Sequence, residues 1–261
     1  KGPVLFTQIR IGENGQPFRF LKFRSMHVDN DESIHKQYGS VRMRTYPNLW
    51  MTDFLRWTAV RKIKKIRPLY WVDYDKEHAY IVMELLEGLS VEQQLLVERL
   101  PLARALEIAD QVLDALAAAH AAGVTHLDVK PANIFCCPDG TVRLLDFGVS
   151  ASTAEGVGPY EGIAVGTPAF MSPEQTRGHW SVVDGRSDLW SVGATLFTMI
   201  AGRPVRQCKS TYEALRIAGS EPVISLRAVS DAPDEVVELV DRALQFDCRK
   251  RFASAQDMQS A

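Results

Sequence analysis
The stretch His126-Leu127-Asp128-Val129-Lys130-Pro131-Ala132-Asn133 brings a carboxylate, an ammonium and an amide into one short loop. Beyond the turn Pro138-Asp139-Gly140, Leu144-Leu145-Asp146-Phe147-Gly148 adds a second carboxylate. Residues of these types in this order suit phosphoryl transfer from ATP to a hydroxyl, a reaction that needs few parts. Asp128 can orient the hydroxyl and take its proton. Lys130, two residues on and on the same side of an extended loop, can neutralise the migrating phosphate. Asn133 and Asp146 are hard oxygen ligands able to hold Mg²⁺ against the phosphates. A hairpin between them would bring the two metal ligands together. Taken alone, the loop also fits a chance Asp-rich turn in another α+β protein.

The elements that must position these residues can be read from periodicity. Leu69 to Val72 and Ala79 to Met83 are short apolar strands separated by the turn Asp73-Tyr74-Asp75-Lys76. Leu102, Leu106, Ala109, Leu113, Leu116 and His120 recur at helical spacing, and Gly123 ends that helix. Leu189 to Ile200 is apolar on most sides and is stopped by Gly202 and Pro204, so it reads as a buried helix. Pro233-Asp234-Glu235 starts an amphipathic helix carrying Val236, Val237, Leu239, Val240 and Leu244. Upstream, Val4-Leu5-Phe6 and Phe18-Arg19-Phe20-Leu21 are β-prone, with the hairpin signal Asn14-Gly15 between them. A few strands followed by many helices argue for an α+β fold.

The loop and its sequel resemble the catalytic loop and D-F-G motif of protein kinases. Four further features follow the family's order. Val82-Met83-Glu84-Leu85-Leu86-Glu87-Gly88 is similar to the hinge that receives adenine, which implies that backbone groups of Glu84 and Leu86 meet the base, with Met83 as gatekeeper. Gly166-Thr167-Pro168-Ala169-Phe170-Met171-Ser172-Pro173-Glu174 resembles the end of an activation segment. Ser187-Asp188-Leu189-Trp190 resembles the start of the central helix, where Asp188 would hold the catalytic-loop amides. Arg251 stands where the family's arginine pairs with Glu174. The resemblance covers about residues 67–261 and implies ATP and Mg²⁺ as cofactors and serine or threonine hydroxyls of proteins as substrates, Lys130 being the residue that favours them.

Three departures stand out. Leu127 occupies the place of the arginine that clamps a phosphorylated activation loop, so loop phosphorylation should matter less; Ser150, Ser152, Thr153 and Thr167 read first as loop hydroxyls. His120 and His126 read as packed structural residues. The third departure is at the N-terminus, where no glycine-rich loop is complete, Phe20 takes the small-residue position beneath adenine, and no glutamate occurs between Glu32 and Glu77 to pair with Lys22. Residues 1–37 look instead like the start of a bacterial sugar transferase, of the polyprenyl-phosphate hexose-1-phosphate type: Gly2-Pro3-Val4-Leu5-Phe6-Thr7-Gln8, Arg10, Gly12, Asn14-Gly15, Pro17-Phe18 and Lys22-Phe23-Arg24-Ser25-Met26. That family's membrane helix and later Asp-Glu motif are absent from the chain. Such a remnant would have no surface fitted to the strand Ala79–Met83, and Lys22 should pair locally or face solvent rather than reach Asp146.

The division expected is therefore a sugar-transferase-like fragment (or divergent small-lobe strands) at 1–39, a partial kinase small lobe at 40–83, and the hinge and large lobe at 84–261. The fold class expected is α+β and protein-kinase-like, its mainly helical large lobe complete and its small β lobe incomplete or atypical. The basic run between Val41 and Ile66, seven Lys/Arg against Asp53 alone, reads as a solvated helix face capped at Thr52-Asp53, in a poorly packed region. The 261 residues are 46% hydrophobic and 24% charged with a net charge of −2, which gives no pull toward nucleic acid or membrane. Cys136, Cys137, Cys208 and Cys248 lack metal or disulfide spacing, which suits a reducing cytoplasm. No apolar run spans a bilayer, so any membrane link would come from a missing upstream segment, and the start at Lys1 suggests a fragment or a processed chain. Three functions are open: a serine/threonine kinase, a pseudokinase serving as a binding module, and a sugar-transferase fusion remnant with a regulatory kinase portion. Oligomeric state and protein substrate are not readable.

Overall fold
The computed structural model describes residues 5–11, 17–23, 66, 69–74, 79–84, 86–146, 151–152, 167–207 and 210–261. The Asn14-Gly15 turn, the acidic run at Asp29–Glu32, the basic segment from Val41 to Lys65, and Phe147, Gly148, Ser150 and Thr153 lie outside them.

Four strands form one sheet: β1 (Leu5–Ile11), β2 (Pro17–Phe23), β3 (Leu69–Tyr74) and β4 (Ala79–Met83), in the order β1-β2-β4-β3. β1 and β2 pair antiparallel with Leu5 opposite Phe23, and β3 pairs antiparallel with β4. β2 runs parallel to β4, with Phe20 opposite Ala79 and Lys22 opposite Ile81. This corrects the expectation that the first residues have no fitted surface on the hinge strand. The physical reason is that backbone N–H and C=O groups at a strand edge pair whatever side chains they carry, and residues 24–78 are long enough for the crossover a parallel pair requires.

The rest of the described residues form a mainly helical body. Ser90, which ends β5 (Leu89–Ser90), caps α1 (Val91–Leu95) through a reciprocal capping box with Gln93. α2 (Leu102–Ala121) buries Ala105, Ile108, Ala109, Val112, Leu113, Ala115, Leu116 and Ala119, the one-face spacing its sequence predicts. Then come β6 (Val124–Thr125), a hairpin of β7 (Ile134–Cys136) and β8 (Val142–Leu144), and β9 (Ala151–Ser152), which pairs with β6. α3 (Pro173–Thr176) precedes α4 (Gly185–Ala201), whose N-cap Asp184 accepts from the Arg186 N–H at 2.8 Å and which ends at Gly202. α5 (Thr211–Ser220), α6 (Asp234–Ala243) and α7 (Ala255–Gln259) complete the body.

The core lies where α4, buried on nearly every face, packs between α2 and α6. Leu189, Trp190, Ala194, Leu196 and Phe197 are almost wholly enclosed there. α7 is held to α2 by Gln259, whose Nε2 donates to carboxylate oxygens of Asp110 and Asp114, each at 2.8 Å. Ile66 is buried and bridges Leu144 in parallel, tying the segment before β3 to the hairpin that carries the site.

Candidate active site
The loop after β6 is fixed from below by α4. Asp188, wholly buried in the first turn of α4, accepts the Leu127 N–H at 2.7 Å on Oδ1 and the His126 N–H at 2.8 Å on Oδ2. His120, at the end of α2, sets its Nε2 2.8 Å from the same Oδ2. His126 Nδ1 accepts the Asp128 N–H at 3.2 Å, so the ring carries its proton on Nε2 and donates it to the Leu145 carbonyl at 2.8 Å. Both histidines expected to be structural therefore act as struts, and His126 joins the two halves of the site. Leu127 (φ 66) and Asp146 (φ 56) sit in the left-handed region that side-chain-bearing residues avoid, a strain kept only where the surroundings hold it.

Asp128, Lys130 and Asn133 converge. Asp128 Oδ2 lies 2.8 Å from Lys130 Nζ and accepts from Asn133 Nδ2 at 3.1 Å. Its Oδ1 accepts from the Thr167 N–H at 3.1 Å and the Thr167 hydroxyl at 2.9 Å, while Lys130 Nζ donates to that same hydroxyl oxygen at 2.5 Å. Asn133, buried in the 3₁₀ turn Pro131–Asn133, also donates Nδ2 to the Asp128 carbonyl at 2.8 Å. With its amide nitrogen so engaged, its side-chain oxygen is the atom left to a hard cation. Asp146 comes alongside because β7 and β8 pair and the Leu145 N–H donates to the Asn133 carbonyl at 2.8 Å. Among the described residues no group of three or more His, Cys, Asp or Glu side chains gathers to hold a metal. The amide and carboxylate of Asn133 and Asp146 fit a Mg²⁺ ion that takes its other oxygens from phosphates and water.

At the other edge, Glu84 and Leu86 follow β4 directly and are half-buried. Gly88, which the sequence reading quoted without a role, has φ 130, and a Cβ there would lie 2.1 Å from the Cys136 carbonyl oxygen. Glycine thus lets the hinge exit close on β7. The Met83 side chain and the separation of the Lys22 ammonium from Asp146 lie outside the described residues.

Beneath the site, Glu174 and Arg251 meet as the sequence expects, in a bidentate pair at 2.7 and 2.8 Å, both side chains buried. Burial alone would push the Glu174 carboxyl up, but the Arg251 hydrogen bonds and charge, with the Ser187 hydroxyl at 2.7 Å, hold it below the usual glutamate range. Two contacts escaped the sequence reading. Thr167 bridges Asp128 and Lys130, and Gln175 Nε2 donates to the Leu127 carbonyl at 2.9 Å. The S/T-x-x-Q spacing of Ser172 and Gln175 signals a helix start, but nothing local signals a partner at Leu127.

Comparison with known proteins gives two family matches: the protein kinase domain over residues 55–261 and the bacterial sugar transferases over residues 1–66. Among curated proteins, serine/threonine-protein kinase PknL of Mycobacterium tuberculosis is 35% identical over 69% of this chain and 45% of its own length. PksC of Streptomyces coelicolor is 37% identical over 69% of this chain and 33% of its own length. Pkn2 of Myxococcus xanthus is 35% identical across 97% of this chain and 30% of its own length, so its similarity reaches into the stretch that also matches sugar transferases. The chain thus spans less than half the length of these relatives. With the kinase family covering well over half of its residues, and with bacterial serine/threonine kinases as its relatives, this chain belongs to the protein kinase family.

Proposed function
We propose that the chain transfers the γ-phosphate of ATP to serine or threonine hydroxyls of a protein substrate. The observation that carries this reading is the convergence of Lys130, Asn133 and Thr167 on the Asp128 carboxylate, with Asp146 brought alongside Asn133 by the β7–β8 hairpin. Asp128 orients the acceptor hydroxyl and takes its proton. Lys130 neutralises charge on the phosphate in flight. Asn133 and Asp146 hold Mg²⁺, which when bound shields the phosphate oxygens. Backbone groups of Glu84 and Leu86 receive adenine. In this reading residues 84–261 are the hinge and large lobe, 40–83 a partial small lobe, and 1–39 a sugar-transferase-like fragment. The place of work in this reading is the cytoplasm, a reducing compartment that suits the free thiols Cys136, Cys137 and Cys248; no helix among the described residues is long and apolar enough to cross a membrane.

The second reading, a pseudokinase that binds without transferring, is favoured by one sequence feature: no glutamate between Glu32 and Glu77 is available to pair with Lys22. Phosphate transfer from labelled ATP to a generic basic protein decides between them. Asp128→Asn should abolish transfer, and Asp146→Asn should weaken Mg²⁺-dependent nucleotide binding. Full activity in either variant removes the assignment, and an inactive wild type hands the case to the pseudokinase.

A further inference from the structure
Leu127, the residue before Asp128, is held at both of its peptide groups by different parts of the molecule. Its backbone is left-handed (φ 66) although it carries a buried leucine side chain, a conformation that persists only where the surroundings fix it. Its N–H is donated to Asp188 of α4. Its carbonyl accepts Nε2 of Gln175, from α3. Gln175 is wholly buried, and its Oε1 accepts the Ser172 N–H at 3.1 Å and the Ser172 hydroxyl at 3.0 Å. With both ends of its amide engaged, this side chain has one orientation.

We propose that Gln175 is a positioning residue for Asp128: its amide makes the orientation of the base depend on the docking of α3. Position 127 carries leucine and sends no charged side chain of its own toward the segment preceding α3, which Asp128 and Lys130 meet at Thr167. The join is made from the opposite direction by a neutral amide to a main-chain carbonyl, and it needs no phosphate. The proposal rests on the reading of Asp128 as the catalytic base.

Three variants separate positioning from simple support. Gln175→Glu keeps an oxygen for Ser172 but sets an acceptor against the Leu127 carbonyl. Gln175→Met removes all three side-chain hydrogen bonds at similar length and carries the test if the glutamate variant does not fold. Ser172→Ala removes the capping hydroxyl and leaves the amide on Leu127. Both Gln175 variants should lower kcat about tenfold to a hundredfold with KM for ATP held within about twofold, the pattern of a misplaced reacting group. Ser172→Ala should lower the melting temperature and leave kcat within about twofold. Backbone hydrogen exchange at residues 126–129 should rise several-fold in the Gln175 variants and not in Ser172→Ala. Exchange reports whether or not the wild type transfers phosphate, so it distinguishes failure of this inference from failure of the kinase reading. Unchanged exchange in a folded Gln175 variant overturns the proposal. So does unchanged kcat in an active enzyme, or an equal loss of kcat in Ser172→Ala.

Discussion
Arg251 is buried to the tip of its guanidinium, and each of its three nitrogens donates to an oxygen. Nε reaches the Gln245 carbonyl, and the two terminal nitrogens share Glu174, the Arg186 carbonyl and the Phe246 carbonyl. Its guanidinium also lies over the Trp190 ring, 5.0 Å from the centroid. Removing one partner from such a pair strands a buried charge, at a cost of about 3–5 kcal/mol. Arg251→Ala should therefore lower the melting temperature far more than Arg249→Ala or Lys250→Ala, whose side chains are exposed. Equal, small shifts at all three positions would contradict it. The pair also sets a pH dependence. Because folding lowers the Glu174 pKa, its contribution is complete above the ordinary glutamate value of about 4.3 and is lost as pH falls through the lower folded value. In Arg251→Ala the raising effect of burial is opposed only by the Ser187 hydroxyl and a local backbone hydrogen bond, so protonation relieves the stranded carboxyl. The gap in melting temperature between wild type and variant should narrow on acidification, and a gap that widens would reverse the argument.

Between elements, Gly193 marks a close approach of α4 to α6. A Cβ on Gly193 would meet Ala243 Cβ at 2.7 Å and Leu244 Cγ at 3.3 Å, so the missing side chain sets how near the helices lie. Gly193→Ala must push α6 outward or strain it, and overpacking of this kind costs about 1–3 kcal/mol. Chemical denaturation should show that loss in the midpoint; a stabilised variant would mean the helices part freely. Three of the helices, α2, α4 and α6, were legible from sequence, while α1, α3, α5 and α7 were not read. Apolar spacing marked α2, α4 and α6, and Gly123, Gly202 and Pro233 marked their ends or starts to within a few residues. Such signals are local, since a cap or a repeat acts within one turn.

For the whole molecule, the open question is what the first strands contribute. Residues 1–66 match sugar transferases, while β2 is in the same sheet as the hinge strand β4. Parallel pairing through backbone groups carries no requirement that Lys22 serve the phosphates. Lys22→Met should leave nucleotide affinity unchanged by calorimetry, and a loss of about tenfold or more, roughly 1.4 kcal/mol, would make Lys22 part of the site.

What the sequence determined by itself was the family and the framework: the loop from His126 to Asn133, the hairpin to Asp146, the main helices, and the meeting of Glu174 with Arg251. These rest on residue types at short spacing, or on a family pattern that specifies its own distant pairs. Only the tertiary structure decided that Leu127 is left-handed, that Thr167 bridges Asp128 and Lys130, that Gln175 reaches across 48 residues to a main-chain carbonyl, and that β2 lies parallel to β4. A carbonyl or an amide is present at every residue, so sequence carries no mark of which one a distant side chain will find. That choice is made when α3, α4 and the loop are packed together, because buried polar groups must then find partners among the atoms within reach.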